Sequence, residues 1–275
     1  MKTAAARTLA VLAVSTALFA ATAAEAHRQW MLPSSTVLSG QSSWVTVDAA
    51  VSNDLFYFEH QPLRLGNVKA WAPDGSEVAL KNAATGRYRS TFDVELTKQG
   101  TYKIANAGGG IFGSYKENGV EKRLPRGASA ADIDKLIPAS ATDVKLAESL
   151  SRNEIFVTLG APTDTVLKPT GKGLELVPVT HPNDLVSGEA ATFRFVIDGK
   201  PAAGIDVEVV PGGIRYRDQL GQMDLKTDAE GKVTITWPTP GLYWVSAEAS
   251  DKNVSVKGAE QRRLGYVSTL EVLAP

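Results

Sequence analysis

Seven short runs constrain this chain more than anything else in it. Val45-Thr46-Val47, Val68-Lys69-Ala70-Trp71, Thr101-Tyr102-Lys103-Ile104, Thr192-Phe193-Arg194-Phe195-Val196, Val207-Glu208-Val209, Val233-Thr234-Ile235-Thr236-Trp237 and Tyr243-Trp244-Val245 are rich in β-branched and aromatic residues. Several alternate apolar with polar side chains, the period-two pattern of a strand with one buried face. Asp74-Gly75, Asn118-Gly119, Asp198-Gly199 and Glu230-Gly231 stand among them, pairs in which glycine accepts the positive φ of a tight turn. The pattern predicts an all-β protein built as β-sandwiches.

A faint repeat divides the chain. Ser39-Gly40-Gln41 leading into Trp44-Val45-Thr46-Val47 resembles Ser187-Gly188-Glu189 leading into Thr192-Phe193-Arg194-Phe195, and Gln99-Gly100-Thr101-Tyr102 resembles Pro240-Gly241-Leu242-Tyr243. The intervals are similar, and two copies are too few for a solenoid. The expected layout is an N-terminal Ig-like sandwich over 27–127, a short helical insert with a strand and linker over 128–173, and a C-terminal sandwich over 174–275. Ser129-Ala130-Ala131-Asp132 reads as a capping box opening a helix that Pro138 stops. Over 143–159 helix and strand compete, with strand favoured for Glu154 to Leu159. The Pro and Gly cluster from Pro162 to Gly173 reads as the linker. In the second unit, Asp198-Gly199-Lys200-Pro201-Ala202-Ala203-Gly204-Ile205-Asp206-Val207, Thr227-Asp228-Ala229-Glu230-Gly231-Lys232-Val233 and Pro240-Gly241-Leu242-Tyr243-Trp244-Val245 resemble a transthyretin-like or carboxypeptidase-regulatory sandwich, which implies a non-catalytic domain.

The first residues have another purpose. Lys2 and Arg7, an apolar run from Leu9 to Ala21, and Ala24-Glu25-Ala26 fit the three parts of a secretory signal over 1–26. That run is too short to span a bilayer, so periplasmic export without stable membrane insertion is expected. Taking Lys2, Arg7 and Glu25 from the 29 basic and 30 acidic residues leaves a net charge of −2. With no long basic run, nucleic acid is not an expected partner. The chain has no cysteine, so any metal must be held by nitrogen, oxygen or thioether sulfur.

Cleavage after Ala26 would expose His27 with a free α-amine. Amine and imidazole nitrogens shed protons at modest cost and can chelate one cation together. A further imidazole would complete a three-nitrogen histidine brace, a donor set suited to Cu(II) or Ni(II). The other two histidines are His60, where an aromatic run meets a polar loop, and His181, which Pro182 biases toward extended backbone. Each competes with a plainer role: a frayed terminus for His27, a strand whose Phe56 and Phe58 fill the core while Tyr57 and Glu59 face water for His60, an inter-domain hydrogen-bonding group for His181. Asp54 and Glu59 are candidates to orient the His60 ring or join the metal. Met31 fits an apolar first strand better than a thioether ligand. Gly108-Gly109-Gly110 lacks the residues of a phosphate loop.

His27-Arg28-Gln29-Trp30-Met31-Leu32-Pro33-Ser34, Asn53-Asp54-Leu55-Phe56-Tyr57-Phe58-Glu59-His60 and Gly173-Leu174-Glu175-Leu176-Val177-Pro178-Val179-Thr180-His181-Pro182-Asn183-Asp184-Leu185 resemble the domain of unknown function 4198 family over nearly the whole mature chain. Many relatives share a His-x-x-Trp-Leu-like mature start, from which this chain departs only at Met31. The resemblance implies a periplasmic role in nickel or cobalt uptake beside a membrane transporter or outer-membrane receptor. The expected function is a non-enzymatic protein that captures Ni, Co, Cu or Fe through His27, His60 and His181. The alternatives are a non-metal envelope interaction module and a copper histidine-brace redox enzyme.

Overall fold

The computed structural model describes residues 27–275; the leader expected over 1–26 lies outside them. The N-terminal half contains β1 (Arg28–Pro33), β2 (Val37–Leu38), β3 (Ser43–Ser52), β4 (Gln61–Pro62), β5 (Val68–Trp71), β6 (Glu77–Val78), β7 (Lys81–Thr85), β8 (Ser90–Leu96), β9 (Gly100–Glu117) and β10 (Val120–Arg123). A short helical turn, α1 (Ile133–Leu136), precedes β11 (Thr142–Leu159). The C-terminal half contains β12 (Leu174–Pro178), β13 (Ala190–Ile197), β14 (Lys200–Pro201), β15 (Asp206–Pro211), β16 (Met223–Lys226), β17 (Lys232–Thr236), β18 (Gly241–Asp251) and β19 (Ala259–Val272). All seven predicted runs lie in strands, with Trp237 one residue past its strand.

These strands form three sheets in two offset sandwiches. A sheet of order β1-β3-β8-β7 covers one face of a ten-stranded sheet of order β16-β15-β18-β19-β11-β9-β5-β6. The sheet of β12, β13, β14 and β17 covers the other face. The alternation of β11 shows how one sheet serves both: Ile155, Val157 and Leu159 enter the N-terminal core with Met31, Phe92 and Tyr102, while Phe156 enters the C-terminal core with Phe193, Phe195 and Tyr266. Successive strand residues point to opposite faces, so one strand can fill two cores. β11 pairs antiparallel with β9 and parallel with β19, joining the halves through continuous backbone hydrogen bonds.

The segment over 143–150, where helix and strand competed, is therefore strand. Pairing on both edges overrides its weak helical periodicity. Part of that pairing needs glycine: a Cβ on Gly109 would sit 2.6 Å from both the Ser149 carbonyl oxygen and Leu150 Cδ2, a close approach only glycine permits. The Gly108-Gly109-Gly110 run is thus a packing feature of β9. The Ser129 and Asp132 side chains form the expected capping box, and α1 ends at Leu136 before Pro138. The Pro and Gly stretch is packed rather than loose, since Val166 and Leu167 are buried in the C-terminal core and both Glu175 carboxylate oxygens accept backbone N–H groups, from Thr170, Gly171 and Lys172.

The sequence echo has a structural counterpart. Tyr102 Oη accepts from the Lys98 N–H at 2.7 Å and donates to the Lys98 carbonyl at 3.0 Å. Tyr243 Oη does the same with Thr239, at 3.3 and 2.7 Å. Each sandwich has a buried tyrosine bonded to the backbone four residues upstream, the tyrosine-corner device of such folds. Asn118-Gly119 and Asp198-Gly199 take the paired positive φ angles, 52° and 79° and 50° and 77°, of a two-residue hairpin turn.

Candidate functional site

β1 pairs with β3 so that Arg28 lies opposite Ser52, which sets His27 beside the loop that follows β3. That loop, 53–60, closes on itself. Trp30 Nε1 donates to Ser52 Oγ at 2.8 Å, and Ser52 Oγ donates to the Asp54 carbonyl at 2.6 Å. Glu59 Oε1 accepts the N–H groups of Asn53 and Asp54 at 3.0 and 2.7 Å. Leu55 is fully buried, and the Phe56 and Phe58 rings both lie 5.6 Å from the Trp30 ring. Phe56 has a φ of 66°, a left-handed conformation unfavourable for a bulky side chain. Its ring packs under Gly212, where a Cβ would approach to 3.0 Å. Surrounding packing holds the strained residue.

The closed loop delivers His60 to His27. Their rings stack with centroids 3.8 Å apart and planes 17° from parallel. Both residues are exposed, and neither ring appears in a hydrogen bond among the described residues. Among those residues no group of three or more His, Asp or Glu side chains is arranged to hold a metal ion. Two imidazoles are what the side chains supply here.

His181 is elsewhere. It sits where Thr101 of β9 and Thr158 of β11 meet, close to β2, while His27 precedes the opposite end of β1. Its Nδ1 faces the Asn183 N–H at 3.1 Å. An amide N–H can only donate, so Nδ1 carries the lone pair and Nε2 the proton. Nε2 then donates to Thr101 Oγ1 at 3.0 Å. Thr101 Oγ1 also accepts the Thr163 N–H and passes its own proton to Thr158 Oγ1, which donates to Asn183 Oδ1 at 2.8 Å. Every donor in this junction has an acceptor, and the His181 lone pair is already engaged. Burial pushes the His181 imidazole below its ordinary value, against the Thr163 backbone and the Asp164 and Asp184 carboxylates, which pull the other way. The arrangement matches the plainer role expected of His181, a hydrogen-bonding residue between the two sandwiches. Met31 is wholly buried in the N-terminal core.

Asp54 and Glu59 do not bond the His60 ring. Arg215, from the C-terminal half, reaches both: Nε to Asp54 Oδ2 at 2.7 Å and Nη2 to Glu59 Oε2 at 2.6 Å, with its guanidinium 4.1 Å from the Tyr57 ring centroid. On the His27 side, Arg28 Nη2 meets Glu208 Oε1 at 3.1 Å and Trp244 Nε1 donates to the Gln29 carbonyl at 2.9 Å. Arg215, Glu208 and Trp244 carried no local signal in sequence, because their partners lie more than 150 residues away.

Beside His27 opens a cleft of about 880 Å³ with Asp206, Glu208, Asp224 and Glu248 on its walls. Asp206 pairs with Lys226 and Glu208 with Arg28; Asp224 and Glu248 have no ion-pair partner among the described residues. An acidic wall beside the His27 imidazole raises the local concentration of cations.

The comparisons with known proteins address family and fold. No curated protein matches the chain significantly. Among solved structures the chain is similar to the D0-D1 domain of Intimin, with 14% identity, 88% of this chain and 97% of that chain covered, and a TM-score of 0.22. It is similar to the human OSCAR ligand-binding domain at 13% identity, with 90% and 100% covered and a TM-score of 0.20, and to fibronectin(III)-like modules of Clostridium thermocellum CbhA at 11%, with 89% and 94% covered and 0.22. Superpositions this loose carry no functional argument. The family comparison is decisive: the chain belongs to the family described as Domain of unknown function (DUF4198), whose model matches residues 24–251.

Proposed function

We propose that this protein is a periplasmic, non-enzymatic transition-metal-binding protein that captures a metal ion and assists its uptake. The donors are the His27 amine, the His27 imidazole and the His60 imidazole. The stacking of the His27 and His60 rings at 3.8 Å carries the reading, because it joins two residues 33 positions apart into one nitrogen-rich patch. Three nitrogens with no thiolate suit Cu(II) or Ni(II) best, Co next, and Fe least. The acidic cleft beside His27 favours approach of the cation. His181 is left out of the donor set, since using its lone pair would orphan the Asn183 amide. The delivery partner on this reading is a membrane metal transporter or outer-membrane receptor.

One pair of proteins tests it. The chain secreted with its own leader is compared with the same chain carrying one extra residue ahead of His27, and bound Cu and Ni are measured in each. Stoichiometric metal in the first alone supports the reading; equal, negligible metal in both overturns it. A second reading, an envelope interaction module, draws on Tyr216, which is 86% exposed next to Tyr57. Exposed aromatics of this kind anchor protein interfaces. Metal-independent capture of a partner that Tyr216→Ala abolishes would favour it.

A further inference from the structure

Both histidines of the pair belong to the N-terminal half, yet the C-terminal half contacts the residues next to each. Glu208 and Trp244 take Arg28 and Gln29, the two residues after His27. Arg215 takes Glu59, the residue before His60, together with Asp54 at the start of the same loop. Arg215 itself stands on a rigid base. Two residues on, the Arg217 guanidinium donates to the carbonyls of Pro211, Gly212, Gln219 and Leu220 and so closes the loop that presents Arg215.

We propose that Arg215 is the positioning residue of the histidine pair: its two-carboxylate grip on the 53–60 loop sets the His60 imidazole against His27. This rests on reading the pair as metal donors. A planar guanidinium grips two carboxylates in one fixed geometry, which an ammonium does not reproduce. Glu59 uses Oε1 to close its own loop and Oε2 to meet Arg215, so the carboxylate transmits the C-terminal anchor to the peptide that precedes His60. Without Arg215 the loop keeps its internal closure and loses its register against the other half. A coordination site must be held to within roughly half an ångström, so that slack falls directly on the second imidazole.

The test uses Arg215→Met, which keeps apolar contact with Tyr57, in protein secreted with its own leader. In the metal-free protein, amide hydrogen exchange over residues 53–60 should rise about tenfold, while exchange in β11 stays unchanged. Cu(II) affinity should fall about tenfold, the Cu(II) electron paramagnetic resonance signal should move toward that of His60→Ala, and the double variant should bind no more weakly than His60→Ala alone. Unchanged exchange over 53–60, or losses that add in the double variant, would overturn the role of Arg215. Increased exchange with Cu(II) binding unaltered in both Arg215→Met and His60→Ala would leave the clamp standing and remove the metal reading instead.

Discussion

The His27–His60 pair and the His181 junction use the same side chain in opposite ways. At the pair, two exposed rings stack without hydrogen-bond partners among the described residues, and His27 borders an acidic cleft. At the junction, one half-buried ring has both nitrogens engaged in a closed chain through Thr101, Thr158 and Asn183. A nitrogen is available for coordination where nothing else uses its lone pair. The structure brings two of the three histidines together and holds the third in a separate hydrogen-bonded junction.

The sharpest way to break this contrast is at the terminus. Adding one residue ahead of His27 removes its amine, and Cu(II) affinity measured by competitive titration should fall roughly a hundredfold, about 2.7 kcal/mol. His181→Ala should leave Cu(II) affinity unchanged and lower unfolding stability in urea by about 2 kcal/mol, because it orphans the Asn183 amide and a Thr101 bond in a partly buried site. His60→Ala should show the converse: about tenfold weaker Cu(II), about 1.4 kcal/mol, with no measurable change in apo stability, since its ring is exposed. If His181→Ala weakened metal as much as His60→Ala, the division between pair and junction would be wrong.

A finer test uses pH. His181 is held below its ordinary 6.5 in the folded protein, so the unfolded chain binds the proton more readily. Stability then rises with pH across that window: the neutral-histidine contribution is complete above 6.5 and declines as pH falls below it toward the lower folded value. Apo-protein urea midpoints between pH 7 and 5 should therefore drop more steeply for the natural chain than for His181→Gln. Equal slopes would show that His181 does not sense protons at the junction. The smallest contrast compares the tyrosine corners. Tyr102→Phe and Tyr243→Phe should each cost about 1 kcal/mol in thermal unfolding, with similar losses if the corners play equivalent parts in the two sandwiches.

Much of the fold was legible because its signals are local. Strand periodicity, the hairpin pairs Asn118-Gly119 and Asp198-Gly199, the Ser129 capping box and the two Gly-x-Tyr echoes all depend on residues within a few positions of each other. The candidate site was legible in part. His27 and His60 stood out by residue type and setting, and so did Asp54 and Glu59, but the carboxylates' partner did not. Arg215 looks like any surface arginine in sequence; its role appears only when a loop 161 positions away lies against it.

The chain alone determined that short strands would bury alternating faces, that tight turns would link some of them, and that no thiolate would be on offer to a metal, because side-chain type and backbone preference act over a few residues. Tertiary structure decided that β11 would carry both cores, that His60 rather than His181 would meet His27, and that the C-terminal half would clamp that meeting. Those outcomes rest on strand register and packing between distant segments, where pairing energy depends on shape and partners that no local pattern encodes.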